Sequence, residues 1–378
     1  MLKKIILFAL MIAMLPAFAE VSAAETLSAN DITAEAAVLI DSETGDILFE
    51  KDSSKKLGMA STTKIMTGIL AIENCRLDDI VTISRHASYT EGSSIYTKEG
   101  EKISVETLIY GLLLKSGNDA ATALAEHMAG SEEAFADMMN EKAKKLGLKN
   151  THFVNPHGLY DPDHYTTAYE LAMLARYAMK NKTFAEIVNT VQYIEETNEA
   201  RDKHIVNNAN KLIKMYEEAD GIKPGYTPET GRTLVGSATK NGWRVITVTL
   251  NCADDWNEHK KMFDYAFENY HLVTVAVKGE SVGTYRVKGG DFGEVGAVLK
   301  KGLKVAVKND EADTYKIKLD FEKLNAPIKK GMFVENARIE MANGNKYEVP
   351  VVTNGTVKRK ERNVFKLMVK VFLSLFGG

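Results

Sequence analysis

The chain has 378 residues, enough for two domains of ordinary size, and its 45% hydrophobic and 26% charged residues are those of a folded globular protein. A formal net charge of −3 excludes a general polyelectrolyte surface, so nucleic acid is not an expected partner. Cys75 and Cys252 stand far apart, give no metal-ligand spacing, and read as two buried small hydrophobes.

The first residues have the form of an export signal. Lys3 and Lys4 precede an apolar run from Ile5 to Phe18, and Ala17-Phe18-Ala19 and Val21-Ser22-Ala23 offer small-residue cleavage sites. Residues 1–23 are therefore expected to be removed on export. The stretch from Ala34 to Asp41 reads as a strand, Ser42 to Gly45 as a turn, and Asp46 to Lys51 as the hairpin partner. From about Ser61 to Asn181 apolar residues recur at helical spacing, as in Ile65-Met66, Ile69-Leu70 and Ile72. Strand patterns return at Arg232–Lys240 and Trp243–Cys252 around the Asn241-Gly242 turn, and a helix follows at about Asp254–Tyr270. Strands first, helices in the middle and strands last predict one antiparallel sheet packed on a helical cluster.

After Tyr270 the texture changes to short alternating runs: Leu272–Val277, Ser281–Val287, Gly296–Leu299, Lys304–Val307, Tyr315–Leu319 and Ala337–Met341. These predict a small all-β domain with a spacer or docking role. At the end, Asn363, Lys366, Lys370 and Ser374 form a polar stripe along an otherwise apolar segment preceded by Lys358 to Arg362. Too short and too charged to span a bilayer, it suits a helix lying in the membrane interface with its basic block on anionic headgroups.

Three short elements carry chemistry. In Ser61-Thr62-Thr63-Lys64, helical spacing sets a lysine one turn from a serine hydroxyl, and the apolar helix that follows would bury Lys64 and lower its pKa. Ser53 and Ser237 also begin Ser-x-x-Lys patterns, but in a charged loop and at a strand end. Ser116-Gly117-Asn118 joins two helical runs, where a serine can relay a proton and an amide can orient its neighbours. Lys223-Pro224-Gly225 gives a cation and a side-chain-free position on an edge strand. Taken singly, a helix cap, an interhelical turn and a solvated lysine explain each of them.

Together, and in this order, the three elements resemble the penicillin-recognising serine enzymes. ASTTKIMT at Ala60–Thr67, LLLKSGNDAA at Leu112–Ala121, NPHGL at Asn155–Leu159 and DGIKPGYT at Asp220–Thr227 resemble the low-molecular-mass D-Ala-D-Ala carboxypeptidases over roughly residues 30–270. The resemblance implies an α+β fold, a β-lactamase/transpeptidase-like antiparallel sheet with a helical cluster, followed by a small all-β domain and an amphipathic C-terminal helix. The expected divisions are a signal at 1–23, the carboxypeptidase domain at 26–270, a β-rich domain at 272–357 and an anchor helix at 358–378.

It further implies that Ser61 attacks the carbonyl between two D-alanines, Lys64 takes its proton and Ser116 passes one to the departing D-alanine. Asn118 would hold the substrate amide, Lys223 would attract the terminal carboxylate, and the N–H groups of Ser61 and Tyr226 would form the oxyanion hole beside Gly225. The expected partners are peptidoglycan stem peptides ending in D-Ala-D-Ala, β-lactams, and the outer face of the cytoplasmic membrane. No cofactor and no metal is expected, since His157 and His164 lack a third ligand at recognisable spacing. One position departs from the family pattern: threonine commonly stands between the lysine and the glycine, where this chain has Pro224, so carboxylate binding shifts to Thr227 or Arg232 in this reading. Two other functions fit part of the pattern, a serine β-lactamase and a catalytically silent peptidoglycan-binding module. The first lacks its deacylating glutamate, since Gly147–Leu159 contains none.

Overall fold

The computed structural model describes residues 27–195, 204–360 and 364–376. The export segment expected at 1–23 lies outside the described residues, as does Asn363 of the tail stripe.

The chain opens with the hairpin β1 (Ala36–Asp41) and β2 (Ile47–Lys51). Six principal helices follow: α1 (Lys64–Asn74), α2 (Val105–Tyr110), α3 (Asn118–Ala129), α4 (Glu132–Leu146), α5 (Ala168–Ala178) and α6 (Lys182–Asn189). Their ends are set by local chemistry. The side chains of Ser104, Ser131, Thr167 and Asn181 each accept a backbone N–H in the first turn of α2, α4, α5 and α6. Gly130 and Gly147 close α3 and α4 in the left-handed conformation. The chain then returns to the sheet as β3 (Ala219–Thr227), β4 (Gly231–Lys240) and β5 (Trp243–Leu250), and leaves it through α7 (Asp255–Asn269).

The sheet is antiparallel throughout, in the order β2-β1-β5-β4-β3. Val38, Ile40, Val235, Ile246 and Val248 meet the helical cluster through Ile65, Ile69 and Leu171 on one face. Leu39, Leu234 and Val245 meet Met262, Phe263 and Ala266 of α7 on the other. With both faces covered, all six residues of β1 are buried, which is why AAVLID shows no polar alternation. β3 is an edge strand, so Pro224 is tolerated within it.

The β-rich region begins directly after α7. β6 (Tyr270–Ala276) pairs with β9 (Leu303–Lys308), while β7 (Ser281–Lys288), β8 (Glu294–Leu299), β10 (Tyr315–Lys318), β11 (Leu324–Asn325), β12 (Phe333–Met341) and β13 (Lys346–Thr353) form a sheet ordered β10-β12-β13-β8-β7-β11. Its own core includes Tyr285, Val305, Ile339, Val349 and Val351. It meets the five-stranded sheet at the turn end of the β1–β2 hairpin, where Tyr347 Oη donates to Asp46 Oδ2 (2.5 Å) and Tyr270 Oη to the Leu48 carbonyl (3.1 Å). The last element is α8 (Val364–Phe376), and no described helix is long and apolar enough to cross a membrane. Both cysteines are unpaired thiols; Cys252 is buried, whereas Cys75, expected to be buried too, is only half-buried at the end of α1.

His259 of α7 is fully buried against β5, with Nδ1 2.7 Å from Thr247 Oγ1 and Nε2 3.0 Å from Thr249 Oγ1. Burial pushes its pKa down to about 3, so it folds in neutral. The unfolded chain binds a proton at this group below its ordinary value near 6.5, while the folded chain stays unprotonated until about 3. Between those limits this one residue should lower stability by on the order of 1 kcal/mol per pH unit as pH falls. Denaturant melts from pH 7 to 4 should show a shallower acid slope for His259→Gln than for the parent; equal slopes would remove His259 from the account.

Candidate active site

Ser61 stands on a 3-10 turn (Ala60–Thr63) that runs straight into α1, so the α-helix proper starts at Lys64 rather than at Ser61, where the pattern puts it. In a 3-10 turn residues three apart eclipse, so the tighter winding brings Ser61 and Lys64 directly over one another. Lys64 is completely buried, and its Nζ reaches three oxygens: Ser61 Oγ at 3.0 Å, Asn118 Oδ1 at 2.7 Å and the His157 carbonyl at 2.6 Å. Burial holds its pKa well below the ordinary lysine value; the positive charge of Lys223 adds to the effect and Asp119 opposes it.

Ser116 and Asn118 arrive on the turn between α2 and α3. A wide helical turn at Gly111–Lys115 ends in Ser116 with φ 68° and ψ 30°, left-handed values that a serine adopts only when its surroundings hold it there. Ser116 is buried and makes no side-chain hydrogen bond among the described residues. Asn118 Nδ2 donates to the Glu91 carbonyl (2.6 Å) while Oδ1 faces Lys64. Its neighbour Asp119, which the sequence reading passed over, is fully buried and accepts from Ser94 Oγ (2.7 Å), Ile95 N–H (3.1 Å) and Thr97 N–H (3.0 Å). It thereby straps the Ser94–Thr97 loop to the turn. The only sequence signal for it was its place after Ser-Gly-Asn.

β3 supplies the third wall. Lys223 is fully buried, bonds the Pro224 carbonyl (2.9 Å), and is pushed down to about 7 by burial. Gly225 abuts the Ser61 turn so closely that a Cβ there would lie 2.9 Å from Ser61 N and 2.5 Å from Thr233 Oγ1. Tyr226 is exposed. Thr227 Oγ1 is engaged in the β3–β4 turn, 2.8 Å from Thr230 Oγ1 and accepting the Thr230 N–H at 3.1 Å. Arg232, opposite Tyr226 in the ladder, bonds Asp255 at 2.9 Å at the start of α7, on the face of the sheet away from the helical cluster. Of the two residues considered for a displaced carboxylate contact, Thr227 is held in the turn and Arg232 is bonded to Asp255 through Nη2 alone, its buried Nε having no hydrogen-bond partner among the described residues.

The Asn155–Leu159 segment closes the site from below. His157 lends its carbonyl to Lys64, while its ring takes the Leu159 N–H on Nδ1 (3.2 Å) and faces Glu132 with Nε2 (3.5 Å). His164 accepts the Val154 N–H on Nδ1 (3.0 Å), so its Nε2 carries the proton toward Thr63 Oγ1 (2.7 Å), and Thr63 in turn donates to the Ala60 carbonyl (2.7 Å). Both histidines are thus committed to the scaffold, and no group of three or more metal-binding side chains occurs among the described residues. Gly158 (φ +86°) lies against that same carbonyl: a Cβ would sit 1.9 Å from Ala60 O. Gly158→Ala should therefore displace the Ser61 turn, costing on the order of 3 kcal/mol and most of the rate of penicillin acylation. Thermal melts and acylation kinetics check this, and a variant with parental values in both would show the turn to be more yielding than its packing implies.

A family model described as D-alanyl-D-alanine carboxypeptidase matches residues 23–254, and one described as the C-terminal domain of penicillin-binding protein 5 matches residues 270–359. The chain is 36% identical over 310 residues to the D-alanyl-D-alanine carboxypeptidase DacF of Bacillus subtilis, covering 79% of each chain. It is 34% identical over 330 residues to DacC of Escherichia coli, covering 83% of this chain and 81% of that one. Among solved structures, penicillin binding protein 5 from Haemophilus influenzae superposes with a TM-score of 0.75 at 26% identity, covering 88% of this chain and 100% of that one. DacD from Francisella tularensis gives 0.66 at 30% identity, covering 89% and 96%. The family matches span both the serine-lysine sheet domain and the β-rich domain behind it, and the chain belongs to the D-alanyl-D-alanine carboxypeptidase family of serine peptidases.

Proposed function

We propose that Ser61 is the residue acylated when this D-Ala-D-Ala carboxypeptidase removes the terminal D-alanine of peptidoglycan stem peptides. The observation that carries the assignment is the set of contacts around Lys64 Nζ. A neutral amine has two N–H groups and one lone pair. Asn118 Oδ1 and the His157 carbonyl can only accept, so both N–H groups are committed to them and the lone pair is left for the Ser61 hydroxyl proton.

In the resulting mechanism, Ser61 Oγ gives its proton to Lys64 Nζ and bonds the carbonyl carbon of the penultimate D-alanine. The carbonyl oxygen becomes an oxyanion between the N–H groups of Ser61 and Tyr226. Ladder alternation supports the second donor. Pro224 has no N–H to give to β4, and the residue two further on turns its own N–H the same way, to the open edge of β3. The C–N bond then breaks as the departing D-alanine amine takes a proton through Ser116 Oγ. Water adds to the ester by the reverse path and restores Ser61. Lys223 meets the substrate's terminal carboxylate with positive charge while protonated. Asn118 and the edge of β3 align the peptide as an added strand, and a β-lactam enters the same groove and stops at the ester.

The division at 1–23, 26–270, 272–357 and 358–378 belongs to the same reading. The chain is exported, the sheet domain carries catalysis, the β domain is a spacer, and α8 lies in the outer face of the cytoplasmic membrane. The exposed Met368, Val371, Leu373 and Leu375 of α8 support a helix that lies in an interface.

Intact-mass measurement after mixing with benzylpenicillin, followed by peptide mapping, tests the nucleophile. A long-lived adduct on the peptide containing Ser61 is expected, absent in Ser61→Ala and retained in Ser53→Ala and Ser237→Ala. An adduct on Ser61→Ala would defeat the assignment, and one that clears within seconds would mark a β-lactamase. Deleting residues 361–378 should move the protein to the soluble fraction with acylation unchanged. A truncated chain that stays with membranes through a high-salt wash, its signal segment shown to be removed, counts against α8 as the anchor.

A further inference from the structure

The end of the β domain remote from the catalytic domain collects positive charge. β13 begins beside Tyr347, which bonds Asp46 of the catalytic domain, and runs away from that contact to Thr353. Beyond it Val357 bridges Ile328 and Arg359 bridges Gly290. Lys360 N–H donates to the Gly289 carbonyl (2.8 Å) and Lys330 N–H to Thr356 Oγ1 (3.3 Å). These contacts gather Lys288, Lys329, Lys330, Lys358, Arg359 and Lys360 at one end. All six are exposed, and none makes an ion pair among the described residues. The nearby acids are Asp291, whose Oδ1 accepts the N–H groups of Lys358 (2.8 Å) and Phe292 (3.0 Å), and Glu294 on β8. Two large apolar side chains stand at this same end, Phe292 with 64% and Phe333 with 57% of their surface exposed.

We propose that this end of the β domain is itself a lipid-contact surface, its cations on anionic phospholipid headgroups and Phe292 and Phe333 entering the interface. The proposal rests on the reading of α8 as a membrane helix, and two features select the partner. The surface is continuous with the helix start, since α8 begins within a few residues of Lys360. Its charge complements an anionic leaflet, and exposed phenylalanines find an apolar phase in a bilayer but none on a hydrated wall polymer. The consequence is orientation. A helix tail alone leaves the domain free to tilt, whereas tail and domain end together hold the β domain upright on the membrane.

The test uses the full chain and vesicles of phosphatidylglycerol mixed with phosphatidylcholine, or of phosphatidylcholine alone. At roughly fivefold per cation near the surface, Lys288→Gln, Lys329→Gln and Lys330→Gln combined should weaken sedimentation with anionic vesicles on the order of 100-fold. Binding to neutral vesicles should not change. The same number of changes elsewhere on the domain, Lys278→Gln, Lys304→Gln and Lys316→Gln, should have far less effect, and penicillin labelling of each variant checks its fold. Phe292→Trp should be quenched by brominated lipid in anionic vesicles, beyond the background of the parent chain. Parental affinity in the triple variant, or an unquenched Phe292→Trp in a chain that still sediments, overturns the surface and leaves α8 as the anchor. An unquenched Phe292→Trp, with the triple variant losing affinity for a soluble wall polyanion, overturns it in favour of the wall. A parent chain that sediments with neither vesicle overturns the membrane reading as a whole.

Discussion

The structure is organised around a lysine amine that has been taken out of water. Removing an ammonium from solvent is expensive unless its hydrogens are met or its charge is surrendered, and at Lys64 both conditions shape the surroundings. The three oxygens around Nζ come from three separate segments, the turn before α1, the start of α3 and the loop at His157. A displacement of Asn118 or of the His157 loop would leave a buried N–H unmet, at a cost of about 1–3 kcal/mol, and a displacement of the turn would leave the amine lone pair without its hydroxyl donor. The requirement to satisfy one nitrogen therefore fixes the mutual position of elements that share no local sequence.

Close approach of backbones follows from that requirement. The segments reach Lys64 only if nothing intervenes, and glycine stands at two of the contacts. Gly158 lies under the Ala60 carbonyl and Gly225 against Ser61 N. Ala60 itself takes a φ of 44°, a value that costs an alanine energy, and its carbonyl is held by Thr63, which His164 orients. His164 is pushed down to about 3 by burial first and the neighbouring histidines second, so the chain of hydrogen bonds behind the Ser61 turn keeps one proton arrangement across ordinary pH. The strain at Ala60 and the neutral histidine behind it form one device, which sets the direction from which Ser61 leaves the turn.

Much of this was legible in the sequence because periodicity survives without context. The β1–β2 hairpin, β4, β5 and α7 lie within two residues of where alternation and turn residues put them, and β7 and β9 do likewise. β13 was not among the expected strands, and Pro350 lies within it, where a proline argues against an interior strand. The ladder explains the exception: pairing with β8 begins at Val351, so Pro350 faces no β8 partner that needs its missing N–H. At the site, Ser61, Lys64, Ser116, Asn118 and Lys223 could be picked out because each element has a spacing. Asp119 and Gly158 had none. Their importance comes from a loop and a carbonyl that reach them only in the folded chain. Thr227 and Arg232 illustrate the opposite limit, since a hydroxyl and a guanidinium near a motif gave no sign that a turn and α7 had already engaged them.

The two domains divide distance between them. Gly225 and Thr233, beside Ser61, lie toward one end of the sheet strands, whereas Asp41 and Asp46, where the β domain attaches, lie at the other. At about 3.3 Å per residue, the run of β4 from Thr233 to Lys240 separates those ends by roughly 20 Å. β13 adds a similar length between Tyr347 and Thr353, and the chain then exits toward α8 on the far side of the β domain. The groove and the point where the chain leaves the β domain thus lie on opposite sides of the Tyr347–Asp46 contact. An open edge strand set apart from the exit of the chain in this way needs a substrate that comes to it already extended. With α8 anchored as proposed, a stem peptide in a layer parallel to the membrane meets that condition, whereas a freely diffusing peptide would gain nothing from the separation.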